Sequence, residues 1–242
     1  MQSNSIIISS RYCGPSESGN GGYVCGQVAK HLPGCVVVRL KAPPPLETEL
    51  QIEASKTEAR LLHESTVIAE ARVAQLDLIM PPAPSFAEAE AASRYYTGFT
   101  HHAFPRCFVC GPQRTAGDGL QIFPGSLGSD PPMVATSWIP DASLVNDTGS
   151  IGTEFLWAVL DCPGAFAVMP VPETGKAAVL GELCARIDGD VAPGERCVVI
   201  GWLLNIEGRK RYAGTAVFSA EGHVVAVAKA TWLEVPASAF GG

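Results

Sequence analysis

The chain has 242 residues, 47% of them hydrophobic and 17% charged, which is enough apolar material for one large or two small packed domains and excludes a disordered protein. Its formal net charge of −7 at pH 7 and sequence pI near 5.2 argue against a general binder of nucleic acids or anionic membranes. A local basic pocket for a phosphorylated ligand is compatible with that charge.

The sequence pattern predicts neither a signal peptide nor a membrane span. The start "MQSNSIIISS" has no basic region, and Asp161 and Pro163 interrupt the most apolar stretch. We therefore expect a cytoplasmic protein whose cysteines are reduced thiols rather than a disulfide framework. The eight cysteines are Cys13, Cys25, Cys35, Cys107, Cys110, Cys162, Cys184 and Cys197.

The first half of the chain predicts a short strand at about residues 6–12, a helix in "NGGYVCGQVAKHL" and a β-branched strand in "CVVVRLKAP". In two further segments, Leu50 to Ala54 and Val67 to Val73, apolar residues alternate with polar ones. This period of two is typical of half-buried strands in an antiparallel sheet with one face in water.

A proline-rich linker, "PPAPSFAEAEAASRYY", separates the two halves. Ser85 followed by Glu88 predicts a capping box, and the Ala-Glu repeats favour a short helix. We place the domain boundary here, near residue 98.

The second half repeats the order of the first. We predict strands in "GLQIFPG" and "MVATSWIP", then one buried helix in "GTEFLWAVLDCPGAFAVM", which is apolar around its whole circumference. Four strand-like runs follow: "AAVLGELCARID", "ERCVVIGWLLNIE", "KRYAGTAVFSA" and "HVVAVAKATWLEV". Each half thus has strand, apolar helix and about four antiparallel strands, which indicates a duplicated α+β unit.

A helix without a polar face must be covered on all sides, and a curled antiparallel sheet can wrap it. This element order resembles the hotdog fold, and its duplication in one chain resembles the double-hotdog acyl-CoA thioesterase-like family. The resemblance implies an α+β double hotdog of two antiparallel sheets, each wrapped around a long central helix, with domains at residues 1–98 and 99–242. It also implies a homo-oligomer, because hotdog sheets often pair back to back.

Two motifs carry the resemblance at the level of residues. "NGGY", Asn20 to Tyr23, is similar to the His/Asn-Gly-Gly helix start of hotdog acyl-CoA thioesterases, and "AVLDCPG" is similar to the Leu-Ala-Asp stretch further along the same helix in those enzymes. Here the motifs lie on different helices. The first helix has Val28 and Ala29 where the carboxylate would fall, and the second has a single glycine, Gly152, in place of the pair. The resemblance therefore implies one composite site between the halves.

In that site Asp161 would act as the general base for a water molecule, and Asn20 would orient the water or the carbonyl. Gly21 and Gly22 would let a thioester carbonyl approach the amides of Gly22 and Tyr23 at the positive end of the helix. The residues expected to contact the substrate are Gly21, Tyr23, Cys162 and Glu154.

Structural roles are the alternatives for both motifs. Asn20 is a favoured N-cap, and glycines before a helix commonly serve as turn and cap residues. Asp161 precedes "CPG" and could cap a second helical segment that begins at the proline. Against a purely structural role, a carboxylate after the apolar run Phe155 to Leu160 is costly to bury without a partner, and burial raises its pKa.

The segment "HHAFPRCFVCG" contains Cys107 and Cys110 in a Cys-x-x-Cys spacing, with His101 and His102 upstream. Such a cluster is a candidate zinc site, but a structural zinc site needs four ligands, and the sequence has no second Cys-x-x-Cys and no His-x-x-x-His pair. We expect a packed turn with two thiols and no metal, with zinc as the alternative.

Three consecutive basic residues, Arg209, Lys210 and Arg211, lie at a predicted hairpin in "EGRKRY". Such a run is typical of a solvated turn. Its functional interpretation is a clamp for the phosphates of coenzyme A.

We predict a hydrolase that cleaves an acyl-CoA or acyl-carrier thioester by direct attack of water. It would need no cofactor besides the coenzyme A of the substrate, and no nucleic-acid or membrane partner. The alternatives are a non-catalytic acyl-CoA-binding module and an acyl-thioester dehydratase or hydratase. Such dehydratases usually use a catalytic histidine, and neither His31 nor His63 is well placed to supply one.

Overall fold

A large antiparallel sheet dominates the computed structural model, which describes residues 2–169 and 175–240. The strands are β1 (Gln2–Ile7), β2 (Val36–Leu40), β3 (Glu49–Ala54), β4 (Glu58–His63), β5 (Thr66–Val73), β6 (Gly125–Ser126), β7 (Met133–Trp138), β8 (Lys176–Ile187), β9 (Cys197–Glu207), β10 (Lys210–Phe218) and β11 (Val224–Pro236). They pair in the order β1-β3-β4-β5-β2-β8-β11-β10-β9-β7-β6.

Three helices lie on one face of this sheet, and the linker helix lies on part of the other face. They are α1 (Gly21–Ala29), α2 (Phe86–Ser93), α3 (Thr153–Val159) and α4 (Cys162–Val168). Helix α1 packs on β2, β4, β5 and β8, and α4 packs on β7, β9, β10 and β11. The main core therefore lies between the sheet and these two helices. Helix α3 also contributes to this core and contacts α1 directly.

One continuous sheet replaces the two predicted sheets. The halves join where β2 pairs with β8, from Val36 opposite Ala185 to Arg39 opposite Glu182. This pairing satisfies backbone groups that two separate sheets would leave unpaired at their edges.

Two local predictions need correction. Strand β1 ends at Ile7 and a 3₁₀ turn occupies Ser10–Tyr12, where the sequence predicts a strand over residues 6–12. The segment "GLQIFPG" forms no strand before β6 begins, because its amides at Leu120 and Ile122 donate to the loop carbonyls of Phe108 and Val109.

The linker helix forms as the sequence predicts, with a reciprocal capping box between Ser85 and Glu88. It packs on β6, β7 and β9, which all belong to the second half. The domain boundary near residue 98 and the pairing of sheets between copies stay predictions. In the part of the chain that the structure describes, we find no helix with the length and apolarity needed to cross a membrane.

Helices α1 and α3 approach each other closely because α1 presents glycine to α3. A Cβ atom added at Gly26 would lie 2.6 Å from the Cα of Glu154 and 2.9 Å from the Cβ of Trp157. Real Cβ atoms do not make such short contacts, so only glycine fits without a shift of one helix.

We expect Gly26→Ala to lower the free energy of unfolding by about 1–3 kcal/mol, because the added methyl overpacks the contact. In a helix with free space the same change stabilises by roughly 0.5–1 kcal/mol. Urea denaturation measures the difference. Gly189→Ala is the control, since a Cβ there meets no atom closer than 3.8 Å. Equal stability of the two variants would contradict the proposed packing.

Candidate active site

The start of α1 and the end of α3 are joined by hydrogen bonds to one carboxylate. Asn20 is the N-cap of α1, and its Oδ1 accepts a hydrogen bond from the Tyr23 amide at 2.9 Å. Its Nδ2 donates to Oδ2 of Asp161 at 3.0 Å, and the Gly22 amide donates to the same oxygen at 2.9 Å. Asn20 is thus both the predicted cap and a partner of Asp161.

The two glycines at the start of α1 face different surroundings. A Cβ at Gly22 would lie 2.5 Å from the Cβ of Asp161 and 2.6 Å from the carbonyl oxygen of Trp157. Gly21 instead lines a cavity, where an added Cβ would lie 3.0 Å from Leu180. One glycine therefore permits helix packing, and the other leaves backbone open to the cavity.

Asp161 lies at a break between α3 and α4, where the sequence predicts one uninterrupted helix. Pro163 has no amide hydrogen and ends the regular ladder of helical hydrogen bonds. The Gly164 amide, which a regular helix would pair with the Leu160 carbonyl, donates to the Asp161 carbonyl at 3.1 Å. The Leu160 carbonyl accepts a hydrogen bond from Oγ1 of Thr215 at 2.7 Å. Asp161 occupies the N-cap position of α4, but its side chain makes no capping hydrogen bond and turns toward α1. The alternative in which this side chain caps the second helix is therefore wrong.

The Asp161 carboxyl group is buried, with 2% of the residue exposed. Burial raises its pKa to about 7, although the hydrogen bonds from Gly22 and Asn20 oppose that rise. Its second oxygen, Oδ1, has no hydrogen-bond partner among the described residues. A carboxyl group with a pKa near 7 and one free oxygen is suited to accept a proton near neutral pH.

The amides expected to bind a substrate carbonyl are already used within the protein. Gly22 donates to Asp161 and Tyr23 donates to Asn20, which corrects the expected role of these two amides. The amide of Gly21 is the first of α1, and no described residue accepts a hydrogen bond from it. Because Gly21 also lines the cavity, its amide is the better candidate donor to a ligand.

A cavity of about 250 Å³ lies against this hydrogen-bonded group. Asn20, Gly21 and Asp161 contribute polar wall, and the remaining lining is largely apolar. The large apolar side chains of the lining are Leu40, Phe104, Phe166, Met169, Leu180 and Trp232. This arrangement suits a ligand with an apolar chain and a polar end.

Of the residues predicted for catalysis or substrate binding, Asn20, Gly21, Asp161 and Cys162 line the cavity in the described structure. Tyr23 is buried but does not line the cavity; its ring stacks on that of Tyr12, with the ring centroids 4.2 Å apart. Glu154 packs against Gly26 at the crossing of α1 and α3.

The three basic residues of "EGRKRY" lie outside the cavity lining. Arg211 forms an ion pair with Glu234, which also binds Lys176 at 2.6 Å. Arg209 and Lys210 are exposed at the turn between β9 and β10.

The segment "HHAFPRCFVCG" contributes more to the site than the sequence indicates. His101, His102, Cys107 and Cys110 all line the cavity. The sulfurs of Cys107, Cys110 and Cys162 lie within 4.8 Å of one another. The Cys-x-x-Cys spacing is visible in the sequence, but Cys162 lies more than 50 residues away, and only the fold brings it to the pair.

No protein-family model matches the sequence, and no curated protein sequence matches it significantly. Solved structures do match over nearly the whole chain. The tesB protein of Mycobacterium avium subsp. paratuberculosis has 16% sequence identity and a TM-score of 0.64, with 97% of this chain and 93% of that chain covered. A proposed thioesterase II from Thermobifida fusca has 12% identity and a TM-score of 0.61, with the same coverage of 97% and 93%.

A protein of unknown function with a hotdog fold, from Alicyclobacillus acidocaldarius, has 8% identity and a TM-score of 0.58, again with 97% and 93% covered. The chain therefore has a hotdog fold. The match covers 93% of each of these three proteins, so they are nearly as long as this chain.

The break at Asp161 depends on Thr215, which is fully buried. We expect Thr215→Val to lower the free energy of unfolding by about 1–3 kcal/mol, because it leaves the Leu160 carbonyl buried without a donor. Thr215→Ser keeps the hydroxyl group and should cost less. Thermal or urea unfolding of both variants compares them, and a serine variant less stable than the valine variant would contradict the role of this hydrogen bond.

Proposed function

We propose that this chain is a thioester hydrolase with one site between the start of α1 and the junction of α3 and α4. The observation that carries the proposal is the pairing of Asn20 and Gly22 with a buried Asp161 at the wall of a largely apolar cavity. The names of two matched structures, tesB protein and proposed thioesterase II, support the same activity.

The geometry supports direct attack by water. The acyl chain occupies the apolar part of the cavity, and the thioester carbonyl accepts a hydrogen bond from the Gly21 amide at the positive end of α1. Asp161 accepts a proton from a water molecule through Oδ1 as the water oxygen bonds to the carbonyl carbon. The carbon–sulfur bond then breaks, and the sulfur takes up the proton, so the products are a carboxylic acid and a free thiol.

The hydrogen bonds from α1 give the two oxygens of Asp161 different roles. Oδ2 accepts from Asn20 and Gly22, which fixes the plane of the carboxyl group. Oδ1 is then left for the water. Asn20 and Gly22 act as positioning residues in this scheme, since they orient the general base.

We propose an acyl-CoA as the substrate and one composite site left by duplication of a single-hotdog unit. The split of motifs supports this origin, because α1 carries the glycine pair and the α3–α4 junction carries the carboxylate. Arg209 and Lys210 are exposed and are the proposed contacts to the phosphates of coenzyme A. Arg211 is engaged by Glu234 and is the weaker candidate.

The dehydratase alternative would need a histidine base in the cavity. His102 is the half-buried candidate, but both of its ring nitrogens have partners within the protein, Phe104 for Nδ1 and Cys110 for Nε2. That leaves the hydrolase as the better supported reaction.

We expect Asp161→Asn to lower kcat by about 10²–10⁴-fold, the range for removal of a general base. The asparagine oxygen can still accept both hydrogen bonds from α1, so the variant should fold and be at least as stable as the wild type. A panel of acyl-CoAs with a thiol-reactive dye measures turnover, and Asp77→Asn, at an exposed linker position, is the control.

Full activity of Asp161→Asn would overturn this mechanism. A wild-type protein that binds acyl-CoAs but releases no thiol would instead support the non-catalytic binding module. Formation or loss of a double bond in the acyl chain would support a dehydratase or hydratase.

A second pair of variants tests the positioning role of Asn20. Asn20→Ser retains an N-cap oxygen for α1, whereas Asn20→Ala loses it at a cost of about 1 kcal/mol in stability. Both variants lose the Nδ2 donor to Asp161, so we expect both to lower kcat by about 10–100-fold. That fold-change corresponds to the loss of one hydrogen bond to a charged group, which contributes about 1.5–3 kcal/mol. If kcat falls only in the less stable alanine variant, Asn20 is a cap and nothing more.

A further inference from the structure

Three buried thiols meet at the cavity wall beside Asp161. The sulfurs of Cys107 and Cys162 are 3.8 Å apart, and all three sulfurs of Cys107, Cys110 and Cys162 lie within 4.8 Å of one another. In a tetrahedral zinc site with Zn–S distances of about 2.3 Å, neighbouring sulfurs are about 3.8 Å apart. The Cys107 and Cys162 sulfurs therefore already have the spacing of two zinc ligands, and the Cys110 sulfur lies within 4.8 Å of both.

Compact backbone holds these cysteines in place. Cys107 and Cys110 lie in one tight turn, in which the Gly111 amide donates to the Cys107 carbonyl at 2.9 Å. A Cβ at Gly111 would lie 2.5 Å from the Cys107 nitrogen, so the turn requires glycine there. Cys162 is the first residue of α4, whose position is fixed by the break that also orients Asp161.

Two side chains that can donate hydrogen bonds lie beside the cluster. Nδ1 of His102 accepts a hydrogen bond from the Phe104 amide at 2.9 Å, so the neutral ring carries its hydrogen on Nε2. That nitrogen lies 3.3 Å from the sulfur of Cys110 and can donate to it. Nδ2 of Asn20 lies 3.8 Å from the sulfur of Cys107. Such donors are typical of the groups that surround metal-bound thiolates.

His102 is thereby a hydrogen-bond donor to a ligand rather than a ligand itself. Among the described residues, the possible metal ligands that lie together here are these three cysteines, with no fourth residue beside them. All three line the cavity, so the remaining coordination position can face it. Zinc sites with three protein ligands and one open position are those that bind water or an exogenous ligand.

We propose that Cys107, Cys110 and Cys162 bind one Zn²⁺ ion as thiolates, with the fourth position open to the cavity. Soft thiolate ligands in a tetrahedral arrangement select zinc over the hard cations Mg²⁺ and Ca²⁺. When three thiolates form at this buried site on metal binding, the charge of the ion offsets theirs. The proposal takes up the zinc alternative for Cys107 and Cys110 and adds Cys162 as the third ligand.

The test begins with the full-length wild-type protein, purified under reducing conditions, and measures metal content directly rather than hydrolysis. We expect one equivalent of zinc per chain, or uptake of one equivalent by protein treated with a chelator. Replacement by Co²⁺ should produce the thiolate-to-metal charge-transfer bands and intense visible absorption of a tetrahedral cobalt–thiolate site.

Cysteine variants then locate the ion. Cys107→Ser, Cys110→Ser and Cys162→Ser should each lose stoichiometric binding, whereas Cys197→Ala, which removes another buried thiol, should retain it. His102→Ala should lower zinc affinity by about 10–100-fold, the range for loss of a hydrogen-bonding partner of a ligand.

Two results would overturn the proposal. One is reduced wild-type protein that takes up no stoichiometric zinc and shows no cobalt–thiolate spectrum, a result that needs no variant to fold. The other is equal binding by Cys197→Ala and the three serine variants. Metal content is measured without substrate. A protein that binds zinc but hydrolyses no thioester would therefore contradict the proposed function and leave the zinc site supported.

Discussion

The site depends on one constraint, which is that a buried carboxylate needs hydrogen-bond donors. Asp161 follows seven helical residues with little polar character, and the only donors that reach its Oδ2 in the described structure come from the start of α1. To bring an N-cap side chain and a backbone amide this close, α1 must cross α3 at very short range. Glycine at positions 22 and 26 permits that approach. The packing of the two helices and the chemistry of the carboxyl group are therefore consequences of the same contact.

The break between α3 and α4 is the second requirement. In a continuous helix the carbonyls near Leu160 would be satisfied within the helix, and residue 161 would follow the regular helical turn. Pro163 removes one of the amides that would bond to them. Thr215, from the sheet beneath, supplies a hydroxyl group to the Leu160 carbonyl. The sheet thus stabilises the irregular backbone that turns Asp161 toward α1.

Much of the fold could be predicted from the sequence because its signals are local. The alternation around Leu50 to Ala54 and Val67 to Val73 predicts β3 and β5, and the pair Ser85 and Glu88 predicts the start of α2. These patterns report burial and capping within a few residues of each other. The pairing of β2 with β8 involves segments far apart in the chain, and no periodicity within either strand specifies which edge it will join.

The site was predictable in part, because each of its two motifs is a short, continuous stretch of sequence. The glycine pair and Asp161 were identifiable from resemblance, and the structure brings them together. Their hydrogen bonding was not predictable. The Gly22 and Tyr23 amides donate to Asp161 and to the Asn20 cap, which leaves Gly21 facing the cavity. The full thiol cluster was not predictable because the third cysteine, Cys162, lies on α4, more than 50 residues from the other two.

Asn20 links the two chemical centres of the cavity wall. Its Oδ1 accepts from the Tyr23 amide, so its Nδ2 must point the other way, toward Oδ2 of Asp161 and the sulfur of Cys107. An amide nitrogen has two hydrogens and can donate to both groups at once. An aspartate at this position would also cap the helix, but it would have no hydrogen to donate to Cys107 and would place a second carboxylate beside Asp161. The requirement for a cap that is also a double donor therefore selects asparagine among the favoured N-cap residues.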